Sequence, residues 1–225
     1  MYWIHEKRFF KKAIGWKALF RDGKKNKLIN DTRYYSRVLR PYVEDTRALF
    51  VHVPKAAGTS FVEALYGRKD WCHLTASDYE DIHGRNDYEK LIKIAFIRDP
   101  FTRFISAYQY LKTSAIPIDQ LWRKHFIDNK SLDEFISMLV DCDDVNQLTI
   151  EHFRHQSYFV NREIDYIGKK EEYAKSLSEV SDIIGTRIEN IKRNTSSSGS
   201  ILLNRKQKRV IESIYSKDFE LYESI

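Results

Sequence analysis

FVHVPKAAGTSF, residues 50–61, is the stretch from which the fold of this chain can be read. It begins inside ALFVHV (48–53), a short apolar run of strand length. Pro54 and Lys55 end that run, and Ala-Ala-Gly-Thr-Ser leads into an apolar stretch of helical character. A buried strand, a tight glycine-containing loop and a helix in succession make an anion site. The first amides of the helix have no intrahelical acceptor, and its dipole favours negative charge there. Gly58 allows close approach of the backbone to a ligand, Thr59 and Ser60 add hydroxyls to the first turn, and Lys55 adds a positive charge. The loop is not the nucleotide-triphosphate loop G-x-x-x-x-G-K-[ST], because the lysine stands three residues before the glycine instead of directly after it. On these residues alone an anion loop and a plain strand-to-helix turn with an exposed lysine stand level.

Working outward, FIRDPFTRFISAY (96–108) repeats the logic. Arg98 closes the buried run KIAFIR (93–98), Asp99 suits a helix N-cap, and Pro100 suits the first turn. Ser106 lies two turns into that helix, so Arg98 and Ser106 are a second candidate grip for a phosphate, the arginine through charge-assisted hydrogen bonds. The bland reading is a capped helix with Arg98 in a structural ion pair. WCHLTA (71–76), IDYIG (164–168) and DIIGT (182–186) read as further strands. Helices are expected over 101–112, over 131–140 with Ser131 and Glu134 as a capping box, over 171–180, and as one long helix from Asn204. Strands alternating with helices predict an α/β fold, with a central, mostly parallel sheet flanked by helices on both faces.

The chain has 225 residues, enough for one sizeable core, with a formal net charge of +6 that points to anionic partners. Its two cysteines, Cys72 and Cys142, make neither a disulfide framework nor a metal cluster, and suggest a cytoplasmic protein. Residues 21–33 read as a polar linker and 194–200, NTSSSGS, as a flexible loop, so the expected division is a basic and aromatic extension over 1–46 and one domain over 47–225. The extension reads first as aromatics packed on the domain. Secondly, residues 1–20 read as an amphipathic segment in peripheral contact with an anionic membrane. The basic run NRKQKR (204–209) reads as a solvated helix face, with closure over a ligand as the alternative. No nucleic-acid-binding motif is present, and no nucleic-acid partner is expected.

Taken together, VPKAAGTSF and FIRDPFTRFISAY resemble the paired nucleotide-binding motifs of the sulfotransferase superfamily, and more closely those of the carbohydrate sulfotransferases related to heparan sulfate 2-O-sulfotransferase, sulfotransferase family 2. HFRHQSYFV (152–160), DYIGKKEEYAKSL (165–177) and YSKDFELYE (215–223) look like later landmarks, so the likeness runs from about Arg47 to the C-terminus. YIGKKEEY departs from the pattern, since relatives often carry an arginine or aromatic before the glutamate. The resemblance implies a P-loop-like sulfotransferase fold. It implies 3′-phosphoadenosine 5′-phosphosulfate (PAPS) as donor, 3′-phosphoadenosine 5′-phosphate as product, and no metal.

It further implies that Lys55 sits at the bridging oxygen, that Ala57, Gly58, Thr59 and Ser60 hold the 5′-phosphate, and that Arg98 and Ser106 hold the 3′-phosphate. The acceptor implied is a carbohydrate hydroxyl, with an acidic glycan favoured by the charge. A tyrosine, lipid or small-alcohol acceptor is the alternative, and a non-catalytic anion-binding module is the remote one. Of seven histidines, His73 is the expected base and His83 the reserve; His52 reads as structural, and Glu63 as facing solvent, with orienting Lys55 as the alternative. His152 and His155, with Arg154 and Gln156, are candidates for lining the acceptor cleft.

Overall fold

The computed structural model describes residues 27–142, 144–190 and 201–225. The amphipathic reading of residues 1–20 and the loop reading of 194–200 lie outside them. The first described element, α1, is helical from residue 27 to residue 46. Its middle, Tyr35–Leu39, is a π-helical turn, and its last part is Arg40–Thr46. The expected linker over 21–33 is therefore helical from residue 27 onward. Tyr35, Leu39 and Val43 are fully buried in the same cluster as the sheet, so this part of the expected extension is built into the domain core.

Strand β1 (Ala48–Val51) leads through the quoted loop into α2 (Gly58–Tyr66), and α3 (Ala76–His83) follows. Strand β2 (Ile92–Ile97) runs into α4 (Pro100–Thr113), succeeded by α5 (Pro117–Phe126) and α6 (Leu132–Val140). Strand β3 (Tyr166–Lys169), α7 (Tyr173–Ile184), α8 (Arg205–Ile214) and α9 (Ser216–Glu223) complete the order. The sheet is parallel, in the order β1-β2-β3, with helices around it. Val51 pairs with Ala95, and Ile97 with Lys169, so the C-terminal ends of all three strands lie side by side. The first two strands are almost wholly buried, as apolar runs in a parallel sheet must be. A second core, with Phe104, Phe135, Phe153 and Tyr215 at its centre, joins α4, α6 and α8. Among the described residues no helix is long and apolar enough to cross a membrane.

Two expected strands are absent, each for a local reason. WCHLTA lies along the outer edge of β1 but meets it with side chains. Trp71 Nε1 donates to the Phe50 carbonyl at 3.1 Å, His73 Nδ1 lies 2.9 Å from the His52 carbonyl, and the Tyr66 hydroxyl bridges Ala48 O and Phe50 N. Those edge groups are thereby satisfied without a fourth strand. DIIGT is the last turn of α7, which ends at Gly185 in the left-handed conformation that closes helices. The long C-terminal helix is broken at Tyr215, whose buried hydroxyl donates to the Phe153 carbonyl. The capping boxes at Ser131/Glu134 and Asn204/Gln207 are formed, and the NRKQKR side chains are mostly exposed on α8.

Candidate active site

The loop after β1 is shaped for an anion by its backbone. Lys55 and Ala57 both take left-handed conformations, φ 69° and 71°, with Ala56 between them and Gly58 after them outside that region. Such alternation turns successive N–H groups to one side as a concave anion receptor. For residues with a Cβ it costs of order 1–3 kcal/mol each, strain that persists where surrounding structure holds it. Here that structure is two arginines from the second motif. Arg103, fully buried, donates to the Pro54 carbonyl at 3.0 Å and to the Arg154 carbonyl at 2.8 Å. Arg98 Nη1 reaches the Lys55 carbonyl at 3.4 Å. The first intrahelical bond runs from Phe61 N to Ala57 O, leaving the amides of 58–60 without helical acceptors.

Gly58 is required by sterics as well as by any ligand. A Cβ there would stand 2.0 Å from Cδ2 and 2.1 Å from Nε2 of the buried His52 ring. Gly58→Ala is therefore expected to overpack the site and destabilise the fold by about 1–3 kcal/mol. A urea midpoint unchanged from wild type would refute this.

Arg98 is clamped from both sides. Gln156 accepts from its N–H (2.9 Å) and donates to its carbonyl (2.8 Å), while its Nε donates to Thr102 Oγ1 (3.0 Å). Ser106 follows Thr102 by four residues on α4 and is half-buried, so these two side chains share one face of the helix, and Arg98 bonds the first of them. In the departing stretch, Lys170 comes near Arg98: burial first, and then Arg98, lower its pKa. Glu171 accepts from Asp99 N and from the Tyr222 hydroxyl, a brace between β3, α4 and α9. Burial, and after it Arg98, bring Lys55 down to about 8, with Asp119 acting the other way and Arg103 adding to the lowering. Cations that depress one another in a half-buried place favour an anion there.

Beside this cationic group lies a cluster of rings. Lys55 Nζ is 3.9 Å from the centre of the Tyr110 ring, which meets His152 edge-on at 4.6 Å. His152 is edge-on to His73 at 6.3 Å, and His73 lies 4.2 Å from His52. Because His73 Nδ1 faces the His52 carbonyl, it carries the proton in the neutral ring, and Nε2 is left with a lone pair. Burial lowers the His73 pKa. Glu151 and the bond to His52 raise it, and Lys27 lowers it. Burial holds His152 at about 3 and His52 well below the usual range.

The other candidates separate. His83 is buried at the end of α3 with its Nε2 2.6 Å from the Tyr35 hydroxyl, a core partnership. Glu63 is half-buried on α2 instead of facing solvent. Of the four residues expected at an acceptor cleft, only His152 meets the ring cluster. Arg154 donates to the Leu148 carbonyl and Gln156 serves Arg98. His155 stands 3.8 Å from the buried Asp218 and lines a separate cleft with Val145, Arg209 and Ile214. Tyr110, Arg103, Glu151 and Lys27 were not singled out from the sequence. Arg103 alone had a signal there, as the second arginine of RDPFTR.

A family model described as sulfotransferase family matches residues 42–223. The chain belongs to the sulfotransferase family. It is an enzyme of sulfuryl transfer. No curated protein and no solved structure matches this sulfotransferase. Lys27, which reaches the ring cluster through Glu151, lies before the matched region.

Proposed function

We propose that this sulfotransferase moves the sulfuryl group of PAPS to a carbohydrate hydroxyl, with His73 as base. The observation that supports the reading is the junction of the two motifs, where Arg98 bonds the Lys55 carbonyl beside a loop held in the left-handed region at Lys55 and Ala57. The residues fit the donor. Ala57, Gly58, Thr59 and Ser60 offer amides and hydroxyls for one phosphate, while Arg98 and Ser106, a helix turn apart from Thr102, offer a second grip. PAPS supplies an activated sulfuryl group and a phosphate leaving group. Lys55, still protonated at pH 7, neutralises the charge that develops on the departing phosphate and yields its proton more readily than a surface lysine. His73 Nε2 takes the proton of the acceptor hydroxyl. The Tyr110 and His152 rings give a sugar apolar faces to rest on, and the net charge of +6 favours an acidic glycan.

Thermal melting tests the donor. PAPS or 3′-phosphoadenosine 5′-phosphate should raise the midpoint, and ATP with Mg²⁺ should raise it less; a larger shift with ATP would overturn the reading. A mass-spectrometric screen for added sulfate, over glycans, tyrosine peptides, lipids and small alcohols, tests the acceptor. Arg98→Ala and Ser106→Ala are expected to weaken 3′-phosphoadenosine 5′-phosphate in calorimetry while leaving AMP nearly unchanged. For the arginine the loss should be about tenfold or more, as for a charge-assisted bond. Equal losses for both ligands would contradict the assignment to the 3′-phosphate.

A further inference from the structure

A buried carboxylate stands against the proposed base, and a lysine from outside the family-matched region holds it. Lys27 Nζ lies 2.7 Å from Glu151 Oε2 and 2.9 Å from Asp31 Oδ2. The other Glu151 oxygen, Oε1, is 3.7 Å from His73 Nε2. Glu151 is only 12% exposed at its side chain, so its charge needs a partner, and Lys27 bridges two carboxylates to supply one. The 3.7 Å gap is too long for a hydrogen bond, so Glu151 acts on the imidazole through charge. A hydroxyl oxygen about 2.8 Å from each of the two atoms would meet both.

We propose that Lys27 and Glu151 form a positioning pair for the base: Glu151 stabilises the imidazolium formed when His73 takes the acceptor's proton, and Lys27 aims Glu151 and tempers the charge that His73 feels. The inference rests on His73 being the base. It makes the start of α1, ahead of the matched region, a working part of the site. The groups that face His73 are Glu151, Lys27, Asp31, His52 and His152. None of the others replaces it as base. Burial alone would raise Glu151, but His73, Lys27 and His152 around it hold it at about 2, and His152 is held at about 3. The His52 ring is buried against Gly58. A carboxylate within 4–6 Å shifts a neighbouring cation by about one to three pKa units, ample to set the basicity of Nε2.

The test follows the His73 ring proton by NMR across pH in the full chain. Glu151→Gln is expected to lower the His73 pKa by about one unit or more. Lys27→Gln, which keeps a donor for Glu151 and removes only the charge, is expected to raise it, and Lys27→Arg to leave it unchanged. A merely structural brace gives a different pattern. Loosening a buried histidine that titrates below its usual value moves it upward in both variants. Shifts in the same direction, or no shift in Lys27→Gln, overturn the pair's role. Should Glu151→Gln fail to fold, Glu151→Asp takes its place: the shorter side chain draws the charge away from Nε2 and is expected to lower the His73 pKa, and an upward or absent shift overturns the pair's role. Retained turnover in His73→Ala overturns the base reading and the inference with it. An inactive His73→Ala with shifts in one direction leaves the base standing and removes the pair.

Discussion

Lys55→Ala is expected to lower the rate of sulfuryl transfer at least about 10²–10³-fold, the range for deleting one group that stabilises developing charge. The protein should stay folded. Lys55 carries its charge half-buried beside Arg98 and Arg103, which is why its pKa falls from 10.5 to about 8. The unfolded chain binds that proton more tightly than the folded one, so stability from this group rises with pH between about 8 and 10.5, and its charge is a burden below 8. Alanine tolerates the left-handed backbone no worse than lysine does, as Ala57 illustrates two residues on. The melting temperature of Lys55→Ala at pH 7 should therefore equal or exceed that of wild type. An anion beside Lys55 raises its pKa, so binding takes up protons near pH 8. Affinity for 3′-phosphoadenosine 5′-phosphate should fall as pH rises through that value, and the variant should lose most of this slope. Near-normal turnover in the folded variant would remove Lys55 from the chemistry.

What the sequence disclosed follows the range of the interactions. Strands β1 and β2, the turn into α2 and the cap of α4 are set by neighbours in sequence, and PKAAGTS and RDPFTRFIS stand at the strand ends, as expected from their apolar runs and turn residues. Where a stretch had the right composition but its partner groups were already occupied, the reading went astray. WCHLTA has a strand's residues, yet Trp71 and His73 satisfy the edge of β1 with their side chains. DIIGT has a strand's apolar run, but it is the end of α7, where only Ile184 packs on the core and Ile183 is exposed before Gly185 closes the helix. The contacts that no local pattern carries are long in sequence: Lys27 meets Glu151 across 124 positions, and Arg103 meets the loop at Pro54 across 49. Gly58 shows the same limit from within a motif. Its freedom was legible, but the His52 ring that forbids any side chain there was not.

His73→Ala is the second large effect expected. Loss of a general base costs roughly 10²–10⁴-fold in maximal rate. The donor's affinity should hardly change, because its proposed grips belong to the loop after β1 and to α4, whereas His73 sits on the segment beside the edge of β1. Nε2 accepts a proton only while the ring is neutral. Burial, as the leading cause, lowers the ring's pKa, so the wild-type rate should hold down to pH values below the ordinary histidine range before it falls. The variant should lose that acid limb altogether. His83→Ala serves as the control: its ring is bonded to Tyr35 in the core, so it should cost stability while the folded fraction turns over normally. The opposite pattern, with His83→Ala crippled and His73→Ala active at wild-type rate, would move the base to α3 and leave the hydrogen bond between His73 and His52 as a purely structural closure of the β1 edge.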